Sequence, residues 1–194
     1  CELIEMNVDL LIISPNEAAP LTPIIEEAYG RGIPVILVDR KILSDRYTAF
    51  IGADNYEIGR EVGTYVANLL GGKGNIVELL GLEGSSSAID RHQGFFSIIA
   101  QHPGINIVSQ QYAAWNYEPA YTKTIDILDA QSLVDLVFAH NDRMAVAAYE
   151  AARDKDREEH IYFIGIDALP GQDGGIEHVL NGRLNATFIY PTGG

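Results

Sequence analysis

The sequence predicts an α/β protein of two lobes, each a parallel sheet flanked by helices. Three observations predict it. Short apolar runs alternate with amphipathic stretches at helical spacing along all 194 residues. The apolar runs are mostly continuous rather than alternating, which reads as strands buried on both faces. One strand then breaks the rhythm, with no helix before it, and reads as a crossing between lobes. Strands separated by helices form right-handed βαβ units and therefore parallel sheets.

The elements follow in order. Val8 to Ile13 is apolar apart from Asp9 and reads as a strand. Glu17 to Arg31 carries Leu21, Ile24, Ile25 and Ala28 at helical spacing, and Gly32 ends it. Pro34 opens the strand Val35 to Val38, and Thr48 to Gly52 is the crossover strand. A helix from Asp54 to about Leu70 puts Ile58, Val62, Val66 and Leu69 on one face, and Gly71 and Gly72 stop it. Strands then follow at Asn75 to Leu80, Ile105 to Tyr112, Val134 to Ala139, Ile161 to Ile166 and Leu184 to Ile189. Helices lie between them at Ser86 to His102, Pro119 to Ala130, Asp142 to Arg153 and Gly174 to Asn181. The lobe boundary falls near Ala53. Residues 1–53 are then a partial first lobe, 54–189 the second lobe, and 190–194 the start of a return crossing. The chain opens on Cys1 inside an apparent helix and reads as a piece of a longer protein, so missing targeting signals carry little meaning.

Composition narrows the function. Hydrophobic residues make up 47% and charged residues 21%, which suffices for a packed core. A net charge of −14 argues against nucleic acid, whose binding rests on Lys and Arg contacts to phosphate. One cysteine excludes an internal disulfide, and no apolar run approaches the ~20 residues of a membrane span.

Ligands of open parallel sheets bind beyond the carboxyl ends of the strands. Ser14 and Asn16, Asp39 and Arg40, Glu83 and Ser85, Trp115 and Asn116, Asn141 and Asp142, Asp167, and Tyr190 all sit there, and Arg91 lies one to two turns into the helix after Glu83 and Ser85. Asp accepts hydroxyl protons, Arg donates in a planar fork, and Asn does both. Trp and Tyr offer flat apolar faces to a sugar ring. Asp39, Arg40, Arg91, Asn141 and Asp167 nearly balance in charge, which favours a neutral polyol. Bland readings stand beside these. Asn141 and Asp142 occupy a helix start where both types cap well. Asp39 and Arg40 could also be a surface ion pair, Arg91 a partner of Asp90 or Glu83, Trp115 packing and Asp167 a turn residue, but the strand-end positions favour ligand contact for Asp39, Arg40 and Asp167.

Enzyme motifs are missing from the sequence. Gly71-Gly72-Lys73-Gly74 precedes a strand and so is a helix stop, not a phosphate loop. Ser85, Ser86 and Ser87 lack the second glycine of a nucleophile elbow. His92, His102, His140, His160 and His178 are scattered, and neither a nucleophile–base pair nor a metal set emerges.

Val8-Asp9-Leu10-Leu11-Ile12-Ile13-Ser14-Pro15, Val38-Asp39-Arg40, Gly52-Ala53-Asp54-Asn55, Ala88-Ile89-Asp90-Arg91-His92-Gln93-Gly94-Phe95, Val137-Phe138-Ala139-His140-Asn141-Asp142 and Ile164-Gly165-Ile166-Asp167 resemble, in order, the ribose-binding branch of the type I periplasmic binding proteins. The resemblance implies that Asp39, Arg40, Arg91, Asn141 and Asp167 bond sugar hydroxyls. It implies that Ser14, Ala53, Leu82, Trp115, Ile166 and Tyr190 line the same cleft. Ser14, Ile166 and Tyr190 depart from the ribose pattern, where Asn, an aromatic and Gln are common. The segment from Asp167 to Gly175 and the ending from Tyr190 resemble the periplasmic sensor domains of hybrid two-component histidine kinases.

The resulting expectation is a non-enzymatic periplasmic domain that takes a neutral pentose or hexose without a cofactor or metal. A histidine kinase module, or alternatively the permease of an ABC transporter, would read its closure, and a second copy of the chain is a further expected partner. The rival reading is the effector core of a LacI-type repressor.

Overall fold

The strands sort into two sheets in a computed structural model that describes residues 2–6 and 8–191. The expectations for Cys1 and for the return crossing over 192–194 lie outside the described residues. The first sheet joins β1 (Leu11–Ile13), β2 (Val35–Val38) and β3 (Ala49–Ile51) in that order, all parallel. A short helix, α1 (Glu2–Glu5), precedes it, and α2 (Ala18–Gly30) links β1 to β2. The second sheet starts after α3 (Asn55–Leu69). It contains β4 (Lys73–Leu80), β5 (Gly104–Tyr112), β6 (Leu136–Ala139), β7 (Tyr162–Asp167) and β8 (Ala186–Ile189), in the spatial order β5-β4-β6-β7-β8 and again all parallel. Its connecting helices are α4 (Ser86–Ile99), α5 (Tyr117–Ala130), α6 (Asp142–Arg153) and α7 (Gly175–Leu180), with a 3₁₀ turn over Glu158–His160. The two-sheet, parallel α/β fold class read from the sequence is therefore present.

Burial on both faces holds for the central strands only. β6 is buried at every position and β4 over its last five. β1 and β3 alternate between half-buried and exposed, and β5, at the edge, ends exposed at Gln110, Gln111 and Tyr112. β1 also starts at Leu11 rather than Val8. Its pairing begins where the Leu11 N–H meets the Pro34 carbonyl at 2.9 Å, and Pro34 has no N–H with which to extend the ladder. β2 and β3 run parallel without a helix between them. The intervening loop is stitched back by Thr48, whose hydroxyl accepts the Val35 N–H and whose own N–H donates to the Val35 carbonyl.

Three apolar clusters hold these layers. One lies under the first sheet around Ile25, Val35 and Leu37. The other two pack the faces of the second sheet: Phe95 stacks on Phe138 at 4.7 Å on the α3/α4 side, and Met144, Phe163 and Leu184 fill the α5/α6 side. α3 and α4 touch backbone to backbone. A Cβ on Gly59 would stand 2.2 Å from the Arg91 carbonyl oxygen, and one on Gly94 would stand 2.0 Å from that of Tyr56. This close approach locks α4 against α3, and Arg91 on α4 reaches the His140 carbonyl just past the end of β6.

Candidate functional site

A cavity of about 200 Å³ lies between the C-terminal edges of the two sheets, lined by Asp39, Arg40, Ser87, Arg91, Trp115, Asn141, Asp167 and Tyr190. Asp39 and Arg40 follow β2 of the first sheet, and the rest come from the second sheet and its connections. Larger clefts exist, including a groove of about 540 Å³ along α4 and β5 lined by His92, Phe96 and Gln110. That groove draws on one sheet only. The smaller cavity is the candidate site because charged groups from both sheets converge on it.

Arg91 organises the floor. It is 4% exposed, its Nε donates to Asn55 Oδ1 at 2.8 Å, and its Nη1 donates to the His140 carbonyl. The guanidinium lies between two aromatic rings, its Cζ 5.4 Å from the Trp115 centroid and 5.0 Å from that of Tyr190. Burial lowers its pKa, while Asp167, Tyr190 and Asp39 raise it. Arg keeps its charge under any ordinary condition, so the cavity carries a fixed positive centre. Burial also pushes the Asp167 carboxyl up to about 6, against the pull of Arg91 and with added repulsion from Asp39.

The wall facing Arg91 is Asp39 and Arg40. The Tyr190 hydroxyl donates to Asp39 Oδ1 at 2.6 Å, and Arg40 Nη1 donates to Asn16 Oδ1 at 2.8 Å. Arg40 also lies over Trp115 at 5.9 Å. Among the described residues three buried side-chain nitrogens lack a hydrogen-bond partner. Two of them, Arg40 Nε and Trp115 Nε1, belong to this lining. Arg40 Nε stands 3.4 Å from Asp39 Oδ2 but out of line for a hydrogen bond. Buried donors are nearly always satisfied, so two orphans at one cavity call for acceptor oxygens from outside the chain.

The backbone is strained at the same place. Asp39, Trp115 and Asp167 all have positive φ, at 69°, 64° and 133°. Asp tolerates the left-handed region, whereas a bulky Trp does so at a cost of order 1–3 kcal/mol. Trp115 keeps its place because Gly81 leaves room for its ring: a Cβ there would come within 2.0 Å of the indole.

Of the residues singled out in the sequence, Asp39, Arg40, Arg91, Trp115, Asn141, Asp167 and Tyr190 meet at this cavity. Ser14, Leu82 and Ile166 are not part of the lining, nor is Ala53. Ile166 is fully buried in the apolar cluster beside α3, as is Ala53. Side chains alternate along a strand, so β7 cannot aim both Ile166 and Asp167 at the cavity. Ser14 is exposed at the end of β1, and Leu82 is half-buried in a turn closed by the Ser85 N–H. Arg91 pairs with neither Asp90 nor Glu83. Ser87 and Asn55 were missed as site residues. Asn55 lay inside a quoted motif, and Ser87 differed from Ser85 and Ser86 only in which side of α4 it faces.

The sequence matches the family described as "Periplasmic binding protein domain" over residues 2–192. The chain belongs to that family. Within this family of periplasmic binding proteins, the fructose-binding periplasmic domain of the hybrid two-component system BT1754 is 59% identical, with a TM-score of 0.95 over 98% of this chain and 64% of that one. The periplasmic binding component of the arabinose ABC transporter from Shewanella sp. ANA-3, bound to L-arabinofuranose, is 30% identical with a TM-score of 0.87, over 96% of this chain and 63% of that one. The ribose import binding protein RbsB of Bacillus subtilis (strain 168) is 29% identical over 96% of this chain. The chain spans about three fifths of that relative's length, 59%.

Proposed function

We propose that this periplasmic binding protein domain takes one neutral monosaccharide between its lobes, without catalysis, in the periplasm, and that a histidine kinase module reads the closure. The observation that carries the sugar reading is the cavity itself. Asp39 and Arg40 line it from the first sheet and Asp167 and Arg91 from the second, so a ligand meets acceptors and donors in balance rather than a net charge. The orphaned N–H groups of Arg40 and Trp115 suit hydroxyl oxygens, and the rings of Trp115 and Tyr190 suit the C–H face of a sugar. About 200 Å³ is below the usual range for drug-sized ligands and suits a single small ring. Sensing is favoured over transport by the likeness to the BT1754 sensor domain, and delivery to a permease is the second reading, favoured by the likeness to the arabinose receptor. The test is titration calorimetry of the full-length protein with D-fructose, D-ribose, L-arabinose and myo-inositol. Micromolar or tighter binding of one sugar is expected, and heatless titrations with all four would overturn the reading.

A further inference from the structure

Asp142 has no place in the site as described, yet it is a carboxylate only 6% exposed, directly after Asn141. It stands at the first position of α6, where an acidic side chain ordinarily faces the free N–H groups of the first turn. It does not cap. Asn141 does, its Oδ1 accepting the Met144 N–H at 2.9 Å. The Asp142 carboxylate turns instead towards the end of β7. Its Oδ2 accepts the Ala168 N–H at 2.9 Å, and its Oδ1 accepts the Thr187 hydroxyl proton from β8 at 2.6 Å. Thr187 Oγ1 itself lies 3.1 Å from the Ala168 nitrogen, so two side chains, bonded to each other, close on one backbone N–H.

That N–H belongs to an unusual turn. Asp167 and Ala168 both have positive φ, at 133° and 50°, a pair of conformations that L-residues avoid. Something must hold them. Two glycines make the room: a Cβ on Gly165 would fall 2.1 Å from Asp142 Oδ1, and a Cβ on Gly175 would fall 1.9 Å from Oδ2. β7 and α7 thus approach the carboxylate with bare backbone, and any side chain at either position would expel it. We infer that Asp142 is a positioning residue for the ligand cavity: with Thr187 it clamps the Asp167–Ala168 turn in the strained form that aims the Asp167 carboxylate at Arg91 and the ligand.

Burial pushes the Asp142 carboxyl up to about 7, and Asp167 adds to the rise, while the Thr187 and Ala168 bonds and Arg91 pull it back. Both protonation forms keep the clamp. The ionised form accepts from both partners. The protonated form can donate to Thr187 Oγ1 and still accept from Ala168. An asparagine reproduces this second arrangement, its carbonyl taking the Ala168 N–H and its amide donating to Thr187. Alanine reproduces neither.

The inference rests on the sugar reading above, and the experiment separates the two. The full-length protein is titrated with whichever of D-fructose, D-ribose, L-arabinose and myo-inositol the wild type binds, as wild type, Asp142→Ala, Asp142→Asn, Thr187→Val and Asp167→Asn, and as the doubles that pair Asp142→Ala or Thr187→Val with Asp167→Asn. A lost buried hydrogen bond to a charged group weakens binding about ten-fold or more, so Asp142→Ala should show that loss, and Thr187→Val a smaller one. Asp142→Asn should stay within about three-fold of wild type, because it keeps both bonds. The deciding readout is the double: if Asp142 acts through Asp167, its loss vanishes once Asp167 is neutralised, whereas independent losses multiply. Multiplied losses overturn the inference. So do wild-type affinities in both Asp142→Ala and Thr187→Val, and so does an Asp142→Asn as weak as the alanine. Thr187→Val, close in shape to threonine, decides the matter if Asp142→Ala does not fold. A wild type that binds none of the four ligands removes the sugar reading and this inference with it, while a wild type that binds with multiplied losses sinks the inference alone.

Discussion

Asn141 serves two neighbours at once. Its Oδ1 caps α6 and its Nδ2 donates to the Trp115 carbonyl at 3.2 Å, while the same side chain lines the cavity. On the proposed sugar reading, substitution to alanine therefore removes a cap and a ligand contact together. Losing the cap costs about 1 kcal/mol of stability, and losing the ligand contact weakens binding about ten-fold. Serine separates the two effects, because it caps nearly as well as asparagine but is too short to reach a ligand. Asn141→Ser should melt within a few degrees of wild type and still lose about ten-fold in sugar affinity, measured by scanning and titration calorimetry. Wild-type affinity in the serine variant would remove Asn141 from the site. The residue types at the strand ends were legible in the sequence because sheet topology alone sends strand ends to one edge. The division of labour between Asn141 and Asp142 was not, since both are good caps and only the backbone decides which one turns away. Ile166 was misplaced for a related reason: a motif names residues in order, and a strand points them alternately.

At the scale of elements, β4 and β6 are tied by a polar cluster inside the second sheet. Glu78, fully buried on β4, accepts from His140 Nε2 at 3.1 Å, from Gln110 at 2.7 Å, and lies 3.0 Å from His92 Nδ1. Burial alone would push the Glu78 carboxyl up, but its bonds and charge contacts with the two histidines outweigh that and hold it at about 2. The unfolded chain takes up this proton at the ordinary value of 4.5 and the folded chain refuses it, so the contribution is complete above 4.5 and is lost as pH falls towards 2. Its size is on the order of 3 kcal/mol. Burial lowers His140 against the pull of Glu78, so protonation of the unfolded chain below 6.5 also costs stability. His92, raised by its bond to Glu78, acts oppositely: its contribution is present below 6.5 and lost as pH rises through its raised value. Melting temperature should therefore fall steeply between about pH 5 and pH 3, and Glu78→Gln should flatten that slope, as followed by circular dichroism. Equal slopes in the two proteins would assign the acid loss elsewhere. The helices and central strands around this cluster were readable from periodicity. The cluster was not, because its members are up to 62 residues apart and only the order β5-β4-β6 brings them together.

The whole molecule has two sheets and a set of bonds that cross between them. The Tyr190 hydroxyl reaches Asp39 from just beyond the second sheet's last strand, the Lys41 N–H donates to Ser86 Oγ at 2.7 Å, and the Ala18 N–H donates to the Gly84 carbonyl at 3.0 Å. These bonds need no ligand, so on the proposed reading they bias the lobes towards closure before a sugar arrives. A ligand that touches Asp39 and Arg40 on one side and Arg91, Asn141 and Asp167 on the other gains its full contacts only in the closed form, and it shifts the equilibrium by that difference. Ser86 makes a crossing bond yet does not line the cavity, which makes it the cleanest handle on the equilibrium itself. Ser86→Ala should populate the open form more, and the apparent affinity falls by the fraction of competent molecules lost, a few-fold for one neutral hydrogen bond. The sugar-saturated state should be unaltered. Small-angle scattering on the full-length protein should then show a radius of gyration that shrinks with sugar in both proteins, to the same closed value. The variant should start from a larger open value and need more sugar to reach the end point. Tight binding with an unchanged radius in the wild type would exclude closure as the signal, and a variant that never reaches the wild-type closed value would make Ser86 part of the bound structure rather than of the equilibrium that leads to it.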